Sequence, residues 1–179
     1  MKLLREFCRG EGLNLAGKVI SRQAVRAIIL NGEQILMVYS PVNHDYKFPG
    51  GGVKDGESHA DTLSREIREE CGLILSEIQG EYGLVVEYAE AREADYDIFK
   101  QLSYYYLCSI SPGFLRQELD GYEEELGFRP QWVGLAEALY RNRSVLQGEY
   151  GDPPRWTERD TYVLARLAES FAADGGGEK

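Results

Sequence analysis

The segment REIREECG, Arg65 to Gly72, sets Glu66, Glu69 and Glu70 within about one helical turn. Like charges three or four residues apart on a helix repel by roughly a few tenths of a kcal/mol per pair. On a wheel advancing about 100° per residue, Ala60, Leu63, Ile67 and Cys71 form one apolar stripe. The three glutamates flank that stripe, at the border between core and solvent. Convergent carboxylates are hard oxygen donors, an arrangement that suits Mg²⁺ or Mn²⁺. Arg65 and Arg68 can neutralise part of the charge, but neither replaces a dication. Taken alone, REIREE would read as a solvated amphipathic helix of mixed charge. The surrounding spacing argues otherwise.

From Gly51 the chain reads Gly, five residues, Glu57, seven residues, Arg65-Glu66-Ile67, Arg68, Glu69-Glu70, Cys71, Gly72-Leu73. This resembles, without departure, the signature of the Nudix hydrolases, Gly-x5-Glu-x7-Arg-Glu-U-x-Glu-Glu-x-Gly-U, with U aliphatic. Seven positions each demand one residue type. At roughly one in fifteen per position, chance agreement is on the order of one in 10⁸ per start site. The preceding YKFPGGG and the later QWVGLAEAL resemble the strands that flank the family's box, so the resemblance spans residues 22 to about 142.

The resemblance implies an α+β fold: an α/β/α sandwich whose mixed β-sheet is flanked by helices. It implies hydrolysis of a nucleoside diphosphate linked to another group. It also implies that Glu66, Glu69 and Glu70 bind divalent metal, Mg²⁺ with Mn²⁺ as an alternative. Glu69 and Glu70 are the strongest candidates for that and for help in activating water. The Gly50 carbonyl is a further ligand of the family type, and Glu57 a weaker or water-mediated one. Arg65 would orient the glutamates through charge-assisted hydrogen bonds. Metal ions neutralise a diphosphate's charge, hold its oxygens in line and acidify a bound water, whose proton a carboxylate takes. Many members carry that base in a loop far from the box. Here Glu118, Asp120, Glu123, Glu124 and Glu125 all stand open, and Glu124 is taken because it lies mid-cluster.

The elements that must position these residues follow from the pattern. AVRAIIL (24–30) and QILMVYS (34–40) read as strands joined at Asn31-Gly32, a hairpin signal. A brief strand then runs into the glycine turn. Residues 59–71 form a helix, with Ser58 as N-cap, Asp61 completing a capping box and Gly72 as the stop. Strands are expected over 80–92 and 99–110, and an acidic loop over 111–130. QWVGL begins a short strand, LAEALYRN a helix, and Thr157 caps a final helix over 158–172 with Tyr162, Leu164, Ala165, Leu167 and Ala168 inward. Residues 1–21 are weakly patterned and read as an N-terminal arm, irregular or briefly helical. Residues 22–173 form a single domain, and 174–179 a disordered tail.

Other residues have plainer roles. The glycine run reads as a functional turn allowing close backbone approach, without the lysine of a Walker loop. Tyr104, Tyr105 and Tyr106 fit a strand with aromatics on both faces better than a nucleobase platform. His59 reads as an exposed first helical residue, while His44 borders the substrate side as a weaker candidate. Trp132 reads as core, Trp156 as an anchor of the last helix, and Cys71 as buried and inert.

The formal net charge of −10 argues against DNA or an anionic membrane as partner, though not against a small anionic substrate. Three scattered cysteines make neither a disulfide framework nor a zinc site and point to the cytoplasm. The N-terminus has no apolar signal region. The expected partner is therefore a small nucleotide, and the expected state a monomer or homodimer. Two alternatives remain: a nucleotide-binding sensor of the same fold that does not hydrolyse, and an RNA 5′-pyrophosphohydrolase. The intact box counts against the first and the acidic charge against the second.

Overall fold

The computed structural model describes residues 1–113 and 115–174. Seven strands are present: β1 (Leu3–Arg9), β2 (Val19–Asn31), β3 (Gln34–Ser40), β4 (Asp45–Lys47), β5 (Ile74–Glu90), β6 (Ile98–Ser111) and β7 (Arg129–Gly134). Four helices join them: α1 (His59–Cys71), α2 (Gly121–Glu125), α3 (Leu135–Leu146) and α4 (Arg155–Asp174). The sheet is mixed, in the order β1-β5-β6-β2-β3-β4, with β7 on β3. The β1–β5 and β2–β6 pairs are parallel and the remaining pairs antiparallel.

One apolar cluster lies between the sheet and α1, joining Val25, Ala27 and Ile29 to Leu63, Ile67 and Cys71. The other joins Ile28, Phe48 and Tyr105 to Val163, Leu164 and Leu167 of α4. Helices therefore cover both faces, and the expected α/β/α sandwich is the observed fold. Tyr105 points into the second cluster while Tyr104 and Tyr106 pack on the first, as strand alternation requires.

The hairpin forms one residue later than the Asn-Gly pair suggests. Asn31 pairs with Gln34, so Gly32 and Glu33 make the turn, with Gly32 at φ 58°. After Leu30 and Ile35 the two strands part, and the chain at 49–53 takes the vacated edge of β2. Val25 N–H donates to the Gly51 carbonyl (3.0 Å), Ala27 N–H to Pro49 (2.8 Å) and Val53 N–H to Gln23 (3.0 Å). This clamp fixes the glycine loop over the sheet.

Three expectations are corrected. Residues 1–21 are not an arm outside the sheet: β1 forms its edge strand, and β2 already begins at Val19. The acidic loop holds a helical turn, α2, capped by Asp120. Thr157 does not cap α4. It lies inside the first turn and donates its hydroxyl to buried Asp45 (2.7 Å), which also accepts from the Trp156 indole (2.8 Å). Of the expected tail, 174–179, Asp174 is the last residue of α4, and 175–179 lie outside the described residues. Among the described residues no helix is long and apolar enough to cross a membrane.

Candidate active site

Helix α1 begins and ends where its caps require. Ser58 Oγ accepts the Asp61 N–H, Asp61 returns to the Ser58 N–H, and Gly72 closes the helix at φ 63°. Leu63, Ile67 and Cys71 are buried as expected, but Ala60 is exposed. The glutamates sit deeper than the border position expected of them. Glu70 is 0% exposed and Glu66 8%, while Glu69 stays at the partly open rim.

The glycine loop allows this approach. A Cβ on Gly51 would collide with the Glu66 carboxylate. Gly50 adopts φ 135°, where a side chain would also strike the Val25 carbonyl, so only glycine fits. The Gly50 N–H donates to Glu70 Oε2 (2.7 Å), and its carbonyl accepts from the Arg26 guanidinium. Lys47 Nζ pairs with the other Glu70 oxygen and lies over the Phe128 ring at 4.5 Å.

Arg65 is the organising cation. Its Nε and Nη2 donate to Glu57 at 2.7 and 2.9 Å, and its Nη1 to Glu66 at 2.6 Å and Glu69 at 3.0 Å. Glu57 also accepts from the Thr62 hydroxyl and the Lys54 N–H. The Arg65 contact, with these others, brings its carboxyl down to about 2. Glu57 thus serves the orientation of Arg65 and stands outside the carboxylate cluster.

Carboxylate oxygens of Glu66, Glu70 and Glu123 lie within 4.8 Å of one another. Glu124, taken from sequence as the base, is exposed on the outer side of α2, and Glu125 is exposed too. Glu118 pairs with Arg68 at 3.6 Å, and Asp120 caps α2. Glu118, Asp120 and Glu123 all line the groove, and Glu123, third helical residue of the Asp120 capping box, is the one that joins the cluster. Burial first, then the Glu70 charge, raises its carboxyl to about 7. The same two causes raise Glu66 against the opposing pull of Arg65. Such a cluster is short of positive charge, and its all-oxygen donor set fits a hard dication.

These groups line a groove of about 600 Å³ with Arg22, Arg26, Lys47 and the Gly50–Gly52 backbone. Sequence reasoning missed Lys47 and Arg26. The available signal was the charge inside the otherwise apolar AVRAIIL; DYKF, which also carries Asp45, offered none for Lys47. Neither His44 nor His59 lines this groove. His44, at φ 58°, stacks on Tyr150. His59 is not free in solvent: its ring contacts the Tyr106 hydroxyl (2.6 Å) and Gln23 (2.9 Å) and stacks on Tyr104. Cys71 is buried, its thiol pushed well up by that burial.

The sequence profile of the NUDIX domain matches residues 20–163, most of the chain. The chain belongs to the Nudix hydrolase family. A NUDIX hydrolase from Nitrosomonas europaea superposes with TM-score 0.57 at 18% identity, over 87% of this chain and 90% of that one. A MutT protein from Bacillus halodurans gives TM-score 0.52 at 19% identity, over 67% and 72%. At these identities the likeness is one of fold. "Nudix hydrolase 13, mitochondrial" of Arabidopsis thaliana is 46% identical over 43 residues, which span 24% of this chain and 21% of that protein.

Proposed function

We propose that this Nudix hydrolase is a Mg²⁺-dependent pyrophosphohydrolase that cleaves the diphosphate linkage of a small nucleoside di- or triphosphate derivative. The observation that carries the reading is the convergence of Glu66, Glu70 and Glu123 under the glycine loop. Glu66 and Glu70 would hold the dication, Mg²⁺ or Mn²⁺, with Glu69 and the Gly50 carbonyl adjoining. A dication bound there supplies neutralisation of the diphosphate and acidification of a water. Arg65 holds Glu66 and Glu69 in place through its shared guanidinium. Glu123, the loop carboxylate that faces Glu66 and Glu70, would take the proton of the attacking water. Lys47, Arg22 and Arg26 offer the positive wall against which phosphate oxygens bind.

The net charge of −10 favours a small nucleotide over a polymer. Three free thiols favour a cytoplasmic setting. The working state is a monomer or homodimer.

The test is a hydrolysis panel of nucleotides with Mg²⁺, followed by ³¹P NMR, for the wild type and Glu70→Gln. Turnover that falls by about 100-fold or more in the variant is the expected result. A folded wild type that binds nucleotides and cleaves none would favour a sensor instead.

A further inference from the structure

Beside the carboxylate groove lies a second pocket of about 180 Å³ whose lining is unlike the rest of this acidic protein. Arg9, Arg22, Arg26, Arg155 and Arg159 face it against a single acid, Glu87. They come from separated elements: β1, two positions on one face of β2, and the first turns of α4. Glu87 is already shared, accepting from Arg9 Nη2 (2.8 Å) and Arg159 Nη1 (2.9 Å). Arg159 Nε is held by Asp160 at 3.0 Å. Arg22, Arg26 and Arg155 pair with no carboxylate among the described residues.

Arg26 Nε and Arg159 Nη2 are buried without a hydrogen-bond partner among the described residues. The Arg159 side chain is only 2% exposed. A buried donor on a cation is costly to leave unmet, and an acceptor reaches these two only if a side chain shifts. Trp156 and Phe99 supply apolar walls. Arg22, Arg26 and Trp156 line both this pocket and the carboxylate groove, so the two are continuous. One guanidinium, Arg22, lies directly over Gly52 of the catalytic loop.

We propose that this pocket is an anion subsite for a phosphate monoester or carboxylate, carried by the substrate outside the diphosphate that is cleaved. Five guanidinium forks around a small space match planar or tetrahedral oxyanions, whose charge a neutral sugar or base would not supply. Only the substrate-borne part rests on the hydrolase reading; the subsite itself does not.

The first arm uses metal-free protein in EDTA and inorganic phosphate as probe. Trp132→Phe leaves Trp156 as the sole indole reporter. Saturable quenching is expected, weakened about 10-fold or more by Arg155→Gln and by Arg159→Lys. The lysine variant keeps the charge beside Glu87 and Asp160 but removes the Nη2 fork, so a folded protein is retained. Circular dichroism on each variant checks that point. Absence of phosphate binding, or binding unchanged in both folded variants, overturns the subsite whatever the enzyme's activity.

The second arm compares kcat/KM for matched pairs with Mg²⁺: UDP-glucuronate against UDP-glucose, and NADP⁺ against NAD⁺. A preference of about 10-fold for the more anionic member of at least one pair, lost in Arg155→Gln, identifies a substrate-borne group. Phosphate binding without such a preference overturns that part and identifies free phosphate as the occupant.

Discussion

Glu70 is held by its surroundings in a way that one pair of variants separates. Its carboxylate accepts the Gly50 N–H at 2.7 Å and pairs with Lys47, and the residue is 0% exposed. Glu70→Gln and Glu70→Ala both delete the charge. Loss of the Lys47 pair and relief of repulsion with Glu66 and Glu123 are therefore common to both and cancel in the difference. Glutamine keeps an acceptor for the Gly50 N–H, whereas alanine orphans it at about 1–3 kcal/mol. Alanine also removes a buried methylene worth about 0.8 kcal/mol and regains roughly a few tenths in helix propensity. The alanine variant should thus be less stable than the glutamine variant by about 2–3 kcal/mol. Urea unfolding in EDTA would show its midpoint lower by about 1 M or more. Variants within about 0.5 kcal/mol of each other would refute the idea that Glu70 anchors the glycine loop.

Other consequences follow from neighbouring contacts. Asn142 is 0% exposed and brackets Tyr46, accepting its N–H and donating to its carbonyl, both at 2.8 Å. Asn142→Ala should cost about 2–4 kcal/mol by chemical unfolding. Gly51→Ala places a methyl against the Glu66 carboxylate and should lower kcat by about 10-fold or more while far-UV circular dichroism stays native. Glu57 is depressed from 4.5 to about 2, chiefly by its Arg65 contact, so its stabilisation is full above pH 4.5 and is lost as pH falls toward 2. Stability in EDTA should decline over that window in the wild type, and the decline should be shallower in Glu57→Gln.

Local signals were legible in the sequence, and long-range pairings were not. Helix α1 was readable to the residue because Ser58, Asp61 and Gly72 act within a few positions of the ends they define. Strand β3 was readable because its apolar run is bounded by turn residues. Strand β1 was hidden: its mixed, charged sequence gains its conformation only by pairing with β5, about eighty residues on. In the site, the box located the glutamates but not their depth, which depends on Gly51 letting Glu66 approach. The inward turn of Glu123 rather than Glu124 is set by the phase of α2. Asp120 with Glu123 was a capping box in plain view inside a run of acids. Arg26 was visible as a charge in an apolar strand, but the pocket it shares with Arg159 depends on how α4 packs on the sheet.

Mn²⁺ titration followed by electron paramagnetic resonance tests most directly whether Glu66 and Glu70, facing Glu123, hold a divalent cation. Saturable Mn²⁺ binding by the wild type is expected, displaced by Mg²⁺ and weakened by about 10-fold or more in Glu66→Gln and in Glu70→Gln. Wild-type protein that leaves Mn²⁺ free, or variants that bind it as tightly as the wild type, would contradict it.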